Sequence, residues 1–77
     1  NPANNYADIV INSDFTQIFE GNLFDINGKN MQNFSYNCNV GTNRFKINLT
    51  DLKTGIYFLY LASTKNKVLT SKIIINH

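Results

Sequence analysis

Residues 44–49, RFKINL, alternate without a break. Phe45, Ile47 and Leu49 are apolar, while Arg44, Lys46 and Asn48 are polar. A period of two is the strand period, and one apolar face beside one wet face is the mark of an antiparallel sheet. The pattern recurs along the chain. Tyr6–Ile11 sets Ala7, Ile9 and Ile11 against Tyr6, Asp8 and Val10. Short apolar runs follow at Phe15–Phe19, Asn22–Ile26 and Lys29–Tyr36, then at Gly55–Ala62 and Lys67–Ile75. Val, Ile, Thr, Tyr and Phe dominate these runs, and Asn, Gly, Asp and Ser interrupt them, which is strand chemistry and not helix chemistry. The pattern therefore predicts seven short strands, and so an all-β, immunoglobulin-like antiparallel sandwich.

The connections carry their own signals. Asn27-Gly28 between two runs predicts a two-residue type I′ hairpin turn, which needs positive φ at both central positions. Residues 37–43 read as a polar loop and Ser63–Asn66 as a turn. Pro2 reads as a junction residue, because it cannot donate to a sheet ladder. In LTDLKTGIYFLYLA, residues 49–62, Leu52, Gly55 and Tyr57 fit a tyrosine corner, in which a strand tyrosine bonds back to backbone just upstream. Tyr57, Leu59 and Leu61 then face the core, and Ile56, Phe58 and Tyr60 face outward. Two readings of Phe58 and Tyr60 stay open at this point: cross-strand packing, or a surface for a partner or a sugar.

In Lys67–Ile75, Leu69, Ser71, Ile73 and Ile75 share one face, and Val68, Thr70, Lys72 and Ile74 share the other. A terminal strand that is apolar on both faces could be recognised by strand addition if it lies at a sheet edge. Exposed edges would also let two copies of the chain pair.

Composition narrows the function. Seventy-seven residues make one domain, and 43% hydrophobic content suffices for a core. Seven basic residues against five acidic give a net charge of +2, and Lys and Arg are scattered, so no basic face for nucleic acid forms. The single cysteine, Cys38, rules out an intrachain disulfide. Its thiol sits in the polar stretch NCNVG, and the only histidine, His77, is expected to fray at the end of the chain, so no Cys–His pair is expected. No Ser/His/Asp set, phosphate loop or metal-spaced cluster occurs, so neither an enzyme nor a metal or cofactor site is expected. Asp25-Ile26-Asn27-Gly28 lacks the remaining ligands of a calcium loop. Asn33-Phe34-Ser35 and Asn48-Leu49-Thr50 match glycosylation sequons, and in a chain with 14 asparagines chance is the better explanation of both. No apolar run approaches the ~20 residues of a membrane helix, and the first residues lack the charged and apolar regions of a signal peptide. The chain is expected to be the end of a longer secreted protein.

Four features occur in order: Asn1-Pro2, the apolar Asp25–Lys29 centre, Leu49–Tyr57 with L-x-x-L-x-x-G-x-Y, and Lys72–Ile75 near the end. As a set, spanning nearly the whole chain, they make it resemble the type A C-terminal sorting domain of type IX secretion cargo proteins of Bacteroidetes. The resemblance implies an Ig-like sandwich of seven strands behind an N-terminal cargo domain. It implies export through the periplasm to the outer membrane, and then to the cell surface or the medium. The implied partners are a translocon or shuttle component and a surface sortase that cleaves the domain. Gly55, Tyr57, Lys72, Ile73, Ile74 and Ile75 are the positions that would carry the signal. Two departures remain: residues usual before the N-P are lacking, and His77 extends past the usual ending. Two other functions compete. One is a carbohydrate-binding module stacking sugars on Phe34, Tyr36, Phe58 and Tyr60. The other is an inert Ig-like spacer.

Overall fold

The computed structural model describes residues 5–65 and 67–77, so Asn1-Pro2 and Asn66 lie outside the described residues. It contains six strands: β1 (Tyr6–Ser13), β2 (Gln17–Asp25), β3 (Asn30–Cys38), β4 (Gly41–Asn48), β5 (Gly55–Ser63) and β6 (Val68–Ile75). All pairings are antiparallel. One sheet has the order β3-β2-β5-β6, and the other is the pair β1-β4. Their inner faces share one core, built from Phe19, Leu23, Leu59, Leu61, Ile73 and Ile75 of the larger sheet with Ile11 and Ile47 of the smaller. Aromatic packing also crosses between the sheets, where Tyr36 of β3 stacks on Phe45 of β4 at 4.0 Å between centroids.

The strand count corrects the sequence expectation of seven. Phe15–Phe19 and Asn22–Ile26 are not separate strands; they merge into β2, and Phe15 lies before it. Glu20-Gly21 falls between those two runs, and glycine ordinarily weakens a strand. Here Gly21 is buried inside β2, and a Cβ added to it would sit 2.6 Å from Leu61 Cδ2 and 3.1 Å from Phe34 Cδ2. Glycine lets the neighbouring strands' side chains close over the backbone at this point.

Two connections also differ. Asp25 N donates to Lys29 O at 2.9 Å, and Gly28 N to Asp25 O at 3.0 Å. The hairpin loop is thus the three residues Ile26, Asn27 and Gly28, with Gly28 at φ 84°, in place of a two-residue turn. Asp25 Oδ1 fixes it by accepting from the amides of Asn27 and Lys29. That explains the conspicuous Asp-x-x-Gly-Lys centre as hairpin chemistry. The polar stretch 37–43 is mostly strand: only Asn39 and Val40 separate β3 from β4. Asn43 bridges this turn, its Oδ1 accepting from Asn39 N and its Nδ2 donating to the carbonyls of Asn39, Gly41 and Ile11. Gly41 holds φ 107°, a value that favours glycine.

Cys38 is not a turn thiol. It is buried in the core, and burial pushes its pKa up, which disfavours the nucleophilic thiolate. His77 is not frayed either. Its Nε2 lies 2.6 Å from Leu52 O, and its backbone amide donates to Thr54 Oγ1 at 3.2 Å. The last residue is thereby fastened to the loop that precedes β5.

Candidate recognition surface

Among the described residues β6 is the last strand and an edge strand, hydrogen-bonded to β5 alone. The expected faces hold. Ile73 and Ile75 are buried, Leu69 is half-buried, and Val68, Thr70, Lys72 and Ile74 are exposed. Tyr57, Leu59 and Leu61 are buried beneath the sheet, and Ile56, Phe58 and Tyr60 point the other way. Tyr57 Oη donates to Lys53 O at 2.7 Å, closing the tyrosine corner that the sequence predicts. Gly55 opens β5 opposite Ile75, with its conformation in the ordinary range.

The register assembles these residues into rows on the outer face. Ile56 faces Ile74. Phe58 lies between Phe24 of β2 and Lys72 of β6. Tyr60 lies between Asn22 and Thr70. Phe58, Tyr60 and Ile74 are 45%, 41% and 42% exposed, so this is an open apolar stripe over β5 and β6. A shallow depression of about 440 Å³ runs over it, lined by Phe24, Phe58, Tyr60, Thr70 and Lys72.

Elsewhere the outer surface mixes exposed apolar residues, Tyr6, Val10 and Ile18 among them, with polar groups that are partly self-paired. On the small sheet Lys46 meets Asp8 at 3.8 Å, and Thr42 Oγ1 donates to Asn12 Oδ1 at 2.9 Å. On β3 the outward positions are Asn33, Ser35 and Asn37, all exposed. Around Lys72 the cross-strand and next-row neighbours on β5 are Ile56, Phe58 and Tyr60, and its own flanks on β6 are Thr70 and Ile74. No acidic residue stands among them, and among the described residues Lys72 takes part in no salt bridge.

The aromatic residues considered for sugar stacking do not form one row. Phe34 and Tyr36 pair with Gly21 and Phe19 of β2 and lie on the inner side of the sheet, half-buried and stacked on one another at 5.9 Å. Phe58 and Tyr60 occupy the opposite side. A second, narrower opening of about 270 Å³ lies between the free edges of β1 and β6, where Ile9, Ile11, Leu59, Leu61 and Leu69 line the exposed rim of the core. Among the described residues no group of His, Cys, Asp and Glu could hold a metal ion, and no helix is long and apolar enough to cross a membrane.

The sequence signals for this surface were the parity of β5 and β6, which places Phe58, Tyr60, Lys72 and Ile74 outward. The contribution of Phe24 was not legible, because it depends on which strand pairs with β5.

The model of one protein family, described as the secretion system C-terminal sorting domain, matches residues 1–76. No curated protein and no solved structure matches the chain. With the match spanning 76 of its 77 residues, the chain belongs to this family, the sorting domains of type IX secretion, whose role is that of a signal and not of a catalyst.

Proposed function

We propose that this chain is the C-terminal sorting signal of a larger secreted protein, taking its cargo through the outer membrane by the type IX route and then being removed by a surface sortase. The family match over residues 1–76 is the observation that carries this reading. The fold suggests a division of labour among the signal positions. Tyr57, Ile73 and Ile75 are buried, so they act by holding β5 and β6 in place. Gly55 starts β5 beside the tyrosine corner. Lys72 and Ile74 are exposed on the edge strand and are free to meet the translocon. The free edges of β1 and β6 also permit two copies to pair, which size-exclusion chromatography would detect.

The test is a secretion assay. Residues 1–77 are fused behind a signal peptide and a fluorescent reporter, in a Bacteroidetes host with and without a working type IX translocon. Delivery of the reporter to the surface or medium that requires the translocon is the expected result. A reporter held in the periplasm of both strains would overturn the proposal, and the exposed aromatics would then be tested on a glycan array.

A further inference from the structure

We infer that Asn27 is a site of spontaneous covalent modification, its carboxamide being lost through attack by the backbone nitrogen of Gly28, and that the Asp25 clasp on the β2–β3 hairpin sets the rate. The inference is independent of the sorting reading. Asparagine is a thermolabile residue. It deamidates fastest where glycine follows, because no side chain then hinders the approach of the next backbone nitrogen. Asn27 alone among the 14 asparagines precedes a glycine. It stands exposed at the hairpin tip, and among the described residues its carboxamide makes no hydrogen bond. Open space surrounds Gly28: a Cβ built there would meet nothing within 4 Å. Asn12, the one asparagine before a serine, lies in β1 with its Oδ1 accepting from Thr42 Oγ1.

The chemistry needs water as its only co-reactant. Gly28 N bonds to Asn27 Cγ, the Cγ–Nδ2 bond breaks, and ammonia leaves with the proton from Gly28 N. The product is a five-membered cyclic imide. Water opens the imide at Cγ to give aspartate, or at the Asn27 backbone carbonyl to give isoaspartate, whose chain runs through Cβ and Cγ. In the closed hairpin the attacking nitrogen is occupied, since Gly28 N donates to Asp25 O at 3.0 Å. Asp25 Oδ1 accepts from Asn27 N and Lys29 N, the amides that bracket the Asn27–Gly28 peptide. Attack therefore starts from a hairpin in which these bonds are broken. That opening is local: residues 26–29 are exposed, and the β2–β3 register is already irregular between Leu23 and Phe24. An exposed tip held by hydrogen bonds, with no buried side chain, opens at low free energy. Either product sets a new carboxylate two residues from Asp25. Isoaspartate also lengthens, by one methylene carbon, the loop that the Asp25 N–Lys29 O bond closes.

Incubation of the purified 77-residue chain at mildly alkaline pH tests this, with peptide mapping by mass spectrometry and chromatographic separation of the aspartate and isoaspartate forms. The peptide carrying Asn27 is expected to gain one mass unit before any other asparagine peptide does, and to split into the two forms. The same chain unfolded in guanidinium chloride is expected to convert faster, by about threefold or more. Asp25→Ala removes the side-chain acceptor and is expected to convert faster than the parent by about threefold or more. Asp25→Asn retains an acceptor oxygen and is expected to stay within about twofold of the parent. Circular dichroism verifies folding, and if Asp25→Ala does not fold, the parent in native and denaturing buffer decides alone. No mass gain at Asn27 in native buffer overturns the inference, and so does earlier conversion at another asparagine. Asp25→Ala converting at the parent's rate, or the parent converting equally fast in both buffers, overturns the role of the clasp.

Discussion

Tyr57 reaches back four residues to donate its hydroxyl to Lys53 O at 2.7 Å, while its ring lies buried beneath β5. This bond ties the start of the central strand to the loop before it. The neighbouring carbonyl, that of Leu52, meets the His77 ring, so the loop holds both β5 and the end of the chain. Tyr57→Phe keeps the ring and removes the bond. It should cost about 1 kcal/mol, a fall in Tm of roughly 4–8 °C for a domain of this size. Thermal unfolding followed by circular dichroism measures it, and an unchanged Tm would show that the corner bond is not holding the loop.

Tyr36 presents the opposite case. Its hydroxyl is buried and has no hydrogen-bond partner among the described residues, while its ring stacks between Phe34 and Phe45. A buried polar group left unpaired is destabilising, by about 1–3 kcal/mol. Tyr36→Phe retains the stacking and should leave stability unchanged or raise it by up to about 1 kcal/mol. Urea unfolding of the variant checks this, and a clear loss would mean that the hydroxyl is satisfied in solution.

Burial raises the pKa of Cys38 above its ordinary 9.0 and that of Tyr36 above its ordinary 10.0. Both are acids that ionise more readily in the unfolded chain than in the folded one. Their contribution to stability is intact below the unfolded values and declines as pH rises through them toward the folded ones. Stability should therefore fall with rising pH above about 9. Removing both groups, as Cys38→Ala with Tyr36→Phe, should flatten this decline. Urea midpoints between pH 7 and 11 measure the slope, and parallel curves for parent and variant would exclude these two groups as its source.

Gly21 shows where sequence pattern and packing part company. Read locally, a glycine inside a polar pair ends a strand. In the folded chain the strand runs through it, because Leu61 and Phe34 occupy the space that a side chain would take. Leu61 is buried, so giving way would disturb the core, and Gly21→Val should destabilise by about 1–3 kcal/mol, although valine is the better strand former. A variant as stable as the parent in urea would mean that the packing around Gly21 yields freely.

Most of the fold was legible for a simple reason. Alternation fixes which residues share a face, and it placed Tyr57, Leu59, Leu61, Ile73 and Ile75 inward and Phe58, Tyr60, Lys72 and Ile74 outward. Alternation does not reveal which strand lies beside which. The division into a pair and a four-stranded sheet depends on turn geometry and long-range packing, and so does the alignment of Phe24, Phe58 and Lys72 across three strands. His77 was misread because chain ends usually fray, while its two bonds to Leu52 and Thr54 become visible only when β6 is seen to finish beside that loop.

Ile74 and Ile75 separate the fold from the signal. They are neighbours in sequence and identical in chemistry, but Ile75 is 0% exposed and Ile74 42%. Ile75→Ala removes a fully packed side chain at a cost of about 2–5 kcal/mol. A chain of 77 residues has only about 4–11 kcal/mol to lose, so this variant should be largely destabilised and should fail to be delivered because it fails to fold. Ile74→Ser lies on the surface and should change stability by no more than about 0.5 kcal/mol. If the outer face of β6 is what the translocon reads, Ile74→Ser should still lower translocon-dependent delivery of the reporter. Deleting Lys72–His77 cannot make this distinction, because it removes Ile73 and Ile75 from the core together with the exposed residues. A secretion assay paired with urea unfolding of the two isoleucine variants does make it. If delivery follows stability alone, and Ile74→Ser is delivered like the parent, this part of the outer face is not read.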